Sequence, residues 1–476
     1  FAPAAWARLS QIEIGDIEMI EKQKVANKLV QFSVVAALSL AGSGVAWAND
    51  AESLGTTLTP LGSNPAASED GTIPAWTGGI TTPPAGYVKG QDHIDPFADD
   101  KVLLTITADN VETHKDRLSA GQIAMFARHP ETYRMNIYPT RRSCALPQAV
   151  YDATKQNALN AKLTQDGNNV EGAHIGVPFP VPKTALEIYW NHNFHWHGHR
   201  YQAKTTGATV FADGSISRIV REDWRYNFYA DPQLTPADLD NRQFVWMGSW
   251  SAPAQFNGSG FSMTNTIDQV AGPREGFVFN PNIRKIVRTT PSMTTYDGPL
   301  SSSSGLRQND NMFLFSGAPD RYEWELVGKR EVYVPYNAYK ASSTSHDPAD
   351  LMTQNHLNPD LMRYELHRVW VIEATAKPGI NMTFSRRTFY ADEDSWIFLV
   401  ADLYDNQQEL VKTQHAFIKN YYEAPACVFE FDVMHDLESG RYNVDHIKNE
   451  FGPADLDYDL EPRDFGSSAL KRKIGR

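Results

Sequence analysis

Ala208-Thr209-Val210-Phe211-Ala212-Asp213-Gly214-Ser215-Ile216-Ser217-Arg218-Ile219 is the stretch from which the architecture is read. Two β-rich runs, 208–211 and 215–219, flank Asp213-Gly214, a pair suited to the positive backbone angles of a tight hairpin turn. Strands joined by so short a turn pair antiparallel. The same pattern continues downstream at 221–229, 243–250, 275–279, 321–327, 331–336, 363–376, 382–390, 395–404 and 410–419. Short turns separate several of these runs, at Lys377-Pro378-Gly379, Asp392-Glu393-Asp394 and Asp405-Asn406. The acidic 392–394 turn is expected to be solvated, since it lacks the regular donor spacing of a calcium loop. One irregular insertion, Asp297–Asn309, carries four consecutive serines.

Upstream of residue 196 the signals are helical. Asp109 and Ser119 are expected to cap short helices, the second ending at His129-Pro130. Residues 148–163 read as a longer helix. Thr184-Ala185-Leu186-Glu187 is a capping box, in which threonine and glutamate each satisfy a free backbone N–H, opening a helix through about Asn193. Helices first and a long meander of strands afterwards give an α+β fold, a large curved antiparallel sheet covered on one face by helices.

The two ends read differently. Residues 1–18 precede Met19 and are read as upstream read-through. Lys22, Lys24 and Lys28 then lead an uncharged, mostly apolar run, Leu29–Val45, closed by Ala46-Trp47-Ala48. That is the pattern of a cleavable signal peptide over 19–48, shorter and more polar than the roughly 20 apolar residues of a membrane span. The mature chain is expected to start near Asn49 and to work in a periplasm. Residues 49–100, rich in Gly, Pro, Ser and Thr, read as an extended arm; 101–465 as a single domain; 466–476 as a basic tail. The 476-residue chain carries a net charge of −13. Residues 1–48 hold four basic and four acidic groups, so that balance survives their removal. A moderately acidic surface argues against nucleic acid, whose phosphates require clustered cations. Two cysteines, Cys144 and Cys427, permit one disulfide, which the sequence neither requires nor forbids.

Several ordered motifs resemble the exported Gram-negative family known as domain of unknown function 1329. They are Asp70-Gly71-Thr72-Ile73-Pro74-Ala75-Trp76-Thr77-Gly78-Gly79, Tyr138-Pro139-Thr140-Arg141-Arg142-Ser143, Gly176-Val177-Pro178-Phe179-Pro180 and Trp190-Asn191-His192. Arg363-Tyr364-Glu365-Leu366-His367-Arg368-Val369-Trp370 and Tyr390-Ala391-Asp392-Glu393-Asp394-Ser395-Trp396 complete the set. That family in turn resembles the periplasmic Lol-type lipoprotein carriers. The resemblance implies a half-barrel, a strongly curved antiparallel sheet with helices on its concave face and a greasy cavity between them. It implies a non-enzymatic carrier or binding protein for lipid or another hydrophobic small molecule, acting towards the outer membrane without a cofactor. It also implies an inner-membrane hydrophobe exporter and an outer-membrane barrel protein as partners. Two positions depart from the family pattern, the histidine-rich segment 192–199 and Cys144, where a small residue is expected.

The candidate ligand-binding residues are the aromatic strand positions Trp246, Trp250, Trp324, Trp370, Trp396 and Phe398, together with Arg141 and Arg142. Large aromatics also fill ordinary cores, so these side chains are read either as core or as the wall of a cavity. The arginine pair reads as a grip on an anionic headgroup or as two solvated side chains. His192, His195, His197 and His199 place imidazoles at spacings that suit zinc or copper on a strand or a helix. No cysteine or carboxylate pair accompanies them, and no metal is assigned. No Gly-x-Ser-x-Gly elbow, His-Glu-x-x-His pair or phosphate loop occurs. Two alternatives stand beside the carrier: an exported metal-dependent enzyme using the His192–His199 cluster, and a structural accessory of an outer-membrane assembly.

Overall fold

The Asp213-Gly214 turn forms as read. Gly214 lies at φ +85°, the Phe211 N–H donates to Ser215 O at 2.9 Å, and the flanking strands pair antiparallel from Val210↔Ile216 to Arg200↔Tyr226. The computed structural model describes residues 50–474; the read-through at 1–18 and the signal peptide at 19–48 lie outside the described residues. From Ser53 onward the chain forms one compact unit.

In chain order the first strands are β1 (Leu104–Ile106), β2 (Met135–Ile137) and the separate ribbon β3 (Lys162–Thr164) and β4 (Asn169–Glu171). A first meander follows: β5 (Arg200–Val210), β6 (Ile216–Asn227), β7 (Arg242–Ala252), β8 (Gly260–Thr266), β9 (Glu275–Asn280) and β10 (Lys285–Arg288). After β11 (Tyr322–Pro335), a second meander comprises β12 (Tyr364–Ala376), β13 (Arg386–Asp392), β14 (Phe398–Tyr404), β15 (Leu410–Tyr421), β16 (Ala426–Asp436) and β17 (Tyr442–Ile447). β17 pairs with β5 through Val444↔Ala208 and so joins the two meanders edge to edge. β11 lies along the other edge of β12. Among the described residues the pairings between these strands are antiparallel except one parallel contact, Tyr364↔Ile137, that attaches β1–β2. β10 and β11 do not pair, so this large sheet is open and not a closed barrel.

The sheet is strongly curved. Trp246 on β7 and His446 on β17 are three strand spacings apart, about 14 Å on a flat sheet, yet their ring centroids are 6.4 Å apart. They lie on the concave face. Among the described residues the helices of nine or more residues are α1 (Ala120–Arg128), α2 (Gln148–Asn160), α3 (Ala185–Asn193) and α4 (Gly466–Ile474). The expected capping box of Thr184 with Glu187 forms, and Ser119 caps α1 as expected, in a box with Gln122. After Asp109 only a 3-10 turn forms, with Asn110 at its N-terminal position and no side-chain cap.

Helix α3 packs on the concave face, as expected, but α1 lies on the opposite one. A Cβ at Gly121 of α1 would collide with Asp402 and Thr413. The next residue on that strand, Gln414, points the other way and donates to Asn311 O at 3.2 Å. Successive strand residues face opposite sides, so the sheet is covered on both. The second concave cover is residues 289–321. This strap begins at the β9–β10 edge, where the Thr289 N–H bonds Gly276 O at 2.8 Å, and ends at β11 on the far edge. Arg307 pins it midway in a buried ion pair with Asp432 and donates to Asn443 O at 3.0 Å. Arg387 of β13 holds Asp310 at 2.7 Å. The insertion read as 297–309 is part of this longer crossing.

Other boundaries shift for identifiable reasons. The sheet continues to Ile447, beyond the expected limit near 420. β16 is buried on both faces and carries Glu430 and Asp432 inside, paired with Lys419, Lys448 and Arg307, so it shows no alternation of polar and apolar residues. The runs 321–327 and 331–336 are one strand, β11, with a bulge between Leu326 and Gly328. The basic tail is mostly helix α4, whose Ala469 and Leu470 are buried. Cys144 and Cys427 are joined by a disulfide, Cα–Cα 5.4 Å, which ties the segment before α2 to β16.

Candidate functional site

Two adjoining cavities lie between the concave face and its covers. The larger, about 240 Å³, is walled by Trp246, Trp250, Phe261 and Phe277 from the sheet and by Met293, Leu300 and Met312 from the strap. The smaller, about 60 Å³, sits under the end of α3 and is lined by His195, His197, Tyr201, Arg225, Phe244 and Phe313. Both share Trp246 and His446. The first is a greasy slot; the second, also largely apolar, carries the Arg225 guanidinium and the imidazoles of His195 and His197.

Trp246 is oriented by its indole N–H, which donates to Asp223 Oδ1 at 2.9 Å. Arg221 saturates the same carboxylate through Nε, at 2.7 and 2.8 Å to its two oxygens. Arg225, two residues beyond Asp223 on the same strand, has no carboxylate partner among the described residues. Its guanidinium lies among the rings of Tyr201 (4.9 Å), Phe313 (5.7 Å) and Phe244 (5.9 Å). Burial pushes its pKa down to about 10, which leaves it cationic at neutral pH. Such rings attract a cation electrostatically but do not satisfy its N–H donors.

The histidine segment divides by role. His192 accepts the Phe398 N–H on Nδ1 at 3.1 Å, donates Nε2–H to Phe313 O at 2.9 Å, and stacks on Phe398 at 3.9 Å. It fastens α3, the strap and β14 together. His195 and His197 turn into the small cavity, with their Nδ1 atoms directed at the carbonyls of His192 and His195. His199 packs edge-on to Tyr226. Burial holds His192 and His197 well below the ordinary histidine pKa and His195 down to about 4, so all three are neutral at pH 7. Among the described residues the one constellation of three metal-ligating atoms is elsewhere: His367, Asp392 and Asp394.

That constellation belongs to a buried charged node where three of the sequence motifs converge. Arg142 bonds both oxygens of Asp394 at 2.7 Å, which holds that carboxyl below its usual pKa against the effect of burial. Asp392 accepts from Tyr336 at 3.1 Å and from Ser395 at 2.7 Å. His367 stacks on Tyr336 at 3.9 Å and lies 3.1 Å from Glu365, which Arg363 holds at 2.6 Å. The 392–394 turn is therefore not solvated: the three residues are 0%, 2% and 5% exposed. Arg142 at Asp394 and Arg368, 3.5 Å from Glu393, reach its carboxylates, so it reads as a structural knot and not as a cation site.

The structure brings Trp246 and Trp250 to the large cavity. Trp396 and Phe398 are fully buried, with Trp396 donating to Leu61 O at 3.0 Å. Trp370 stacks on Trp396 at 6.4 Å under the Lys329 ammonium, and Trp324 donates to Pro319 O at 3.0 Å. Arg141 is half-exposed and pairs with Asp100 at 2.6 Å. None of these last five touches either cavity. Phe261, Phe277, Met293 and Met312 line the cavity without having been singled out in the sequence, because alternation along β8 and β9 is weak and the strap has no periodicity. Arg225 lies between Trp224 and Tyr226 on β6, and nothing in the sequence sets it apart from Arg218 and Arg221 of the same strand.

The family model for a protein of unknown function, DUF1329, matches residues 105–471. The chain belongs to this family. An uncharacterized protein of Pseudomonas aeruginosa is 38% identical over 452 residues, covering 94% of this chain and 98% of that one. Among solved structures, a DUF1329 family protein from Desulfovibrio piger overlaps at TM-score 0.40 and 14% identity, covering 57% of this chain and 92% of its own. A LolA superfamily protein from Nitrosomonas europaea overlaps at TM-score 0.36 and 15% identity, covering 60% and 99% respectively. Among the described residues of this DUF1329 protein, no helix is long and apolar enough to cross a membrane.

Proposed function

We propose that this DUF1329 protein is a periplasmic carrier that holds a lipid or another hydrophobic molecule between its curved sheet and the strap over residues 289–321. One observation supports the reading above the rest: the cavity walled by Trp246, Trp250, Phe261, Phe277, Met293, Leu300 and Met312. At about 240 Å³ it is slightly smaller than the roughly 300–1,000 Å³ of ordinary small-molecule sites. It suits a single chain, and a small outward shift of the strap enlarges it. Burying an alkyl chain there yields about 25 cal/mol per Å² of apolar surface removed from water. The Cys144–Cys427 disulfide agrees with an oxidising compartment, as does the leader over residues 19–48. An inner-membrane hydrophobe exporter and an outer-membrane barrel protein are the partners such a carrier would serve.

The test is native mass spectrometry and lipid extraction on protein taken from its own periplasm, with titration of the purified protein by an apolar dye and indole fluorescence as readout. Saturable binding near one equivalent, lost in a Trp250→Ala variant that remains folded, is the expected result. A protein that carries no lipid and binds no dye overturns the proposal.

A further inference from the structure

Two residues that line the small cavity beside the apolar slot carry hydrogen-bonding groups of opposite kind that no protein group satisfies among the described residues. The first is Arg225. Asp223, two residues away, has both oxygens engaged by Arg221, with Trp246 also bonding Oδ1, and aromatic rings surround the guanidinium. Among the described residues no group accepts a hydrogen bond from it. The second is His197. Its Nδ1 lies 3.1 Å from His195 O, and a carbonyl oxygen only accepts, so Nδ1 carries the proton. In the neutral ring Nε2 is then a bare lone pair. That atom is buried and has no partner. A buried polar atom left unpaired costs about 1–3 kcal/mol, so a ligand group that satisfies it gains affinity and specificity.

Resting on the carrier reading, we propose that this pocket binds the head of a single-chain amphiphile bearing a carboxylate for Arg225 and a hydroxyl for His197. The alkyl chain runs past Trp246 into the aromatic slot. A hydroxylated fatty acid is the simplest ligand that meets both demands. The planar guanidinium fork matches a carboxylate through two parallel hydrogen bonds. The single unpaired cation beside three neutral imidazoles suits a monoanion better than a doubly charged phosphate ester. A cavity of about 60 Å³ takes a carboxylate but not a glycerophospholipid head. A metal ion is disfavoured at the same place, because Arg225 repels it and His192 has both ring nitrogens engaged.

The experiment compares 3-hydroxydodecanoate, dodecanoate and dodecan-1-ol by calorimetry on the wild-type protein and on Arg225→Gln and His197→Phe. The wild type is expected to bind dodecanoate at least tenfold tighter than the alcohol, and the hydroxy acid a further three- to tenfold tighter. Arg225→Gln should abolish the preference for acid over alcohol while retaining alcohol binding. His197→Phe should erase only the preference for the hydroxyl. Equal affinities for acid and alcohol, or a preference unchanged in Arg225→Gln, overturn the head-group assignment and leave the hydrophobe carrier intact. Failure of all three ligands and of an apolar dye overturns both. Circular dichroism of each variant identifies any that fails to fold, and the ranking of the three ligands by the wild type decides the assignment without them.

Discussion

Replacing Arg307 with methionine tests the strap. In the wild type its guanidinium pairs with Asp432 and reaches Asn443 O at 3.0 Å; Arg307 is 3% exposed and Asp432 fully buried. Arg307→Met keeps the bulk but leaves a buried, unpaired carboxylate, which costs about 3–5 kcal/mol. Unfolding entropy near 2.1 cal/mol/K per residue gives roughly 0.9 kcal/mol/K for a chain of this size. The expected loss is therefore about 3–6 °C in Tm. Burial alone already raises the Asp432 pKa above its usual value, and removing Arg307 raises it further. The folded variant then holds a proton that an unfolded aspartate, with a pKa near 3.9, has released. Its deficit grows as pH rises through the folded value and shrinks towards acid. Thermal melts from pH 5 to pH 8 measure this. The double variant Arg307→Met/Asp432→Asn should recover most of the loss, since the amide still bonds Gln414 and no charge remains. A loosened strap should also speed dye entry. A deficit below about 1 kcal/mol at pH 8, or a double variant as unstable as the single one, would refute a strap held by a buried ion pair.

Three other perturbations follow from the same geometry. Burial lifts the pKa of Asp402 to about 6, so its favourable contribution is complete below pH 4 and disappears as pH rises through 6. Asp402→Asn should be more stable than the wild type at pH 8, by on the order of 2 kcal/mol, and the two should converge near pH 4; equal melts at pH 8 would count against it. The Cys144–Cys427 bridge spans 283 residues, for which loop entropy alone gives about 5.6 kcal/mol as an upper figure. Cys144→Ala/Cys427→Ala should lower denaturant stability by a large part of that, and an unchanged midpoint would show that the bridge closes little free chain. Trp250→Ala should cost less than the roughly 3–5 kcal/mol of a fully packed tryptophan, because the slot already leaves contacts unmade. A loss in the full range would make this wall ordinary core.

Local order was legible in the sequence wherever short-range physics decides it. The turn at Asp213-Gly214 needs a positive φ, the caps at Ser119 and Thr184 satisfy backbone donors three residues away, and the helix at 185–193 follows from its cap. The antiparallel sense of the sheet followed from the short turns. What lay beyond the sequence depends on long-range partners. β16 carries charges inside because Lys419, Lys448 and Arg307 come from elsewhere to neutralise them. Asp392–Asp394 reads as an exposed acidic turn until Arg142, 252 residues before Asp394, is brought against it. His192, His197 and Arg225 look alike as polar residues among aromatics. Tertiary structure alone gives His192 two partners, leaves His197 with a bare lone pair, and leaves Arg225 cationic without an acceptor, because only packing decides which polar groups are shut away from water and which find a partner there.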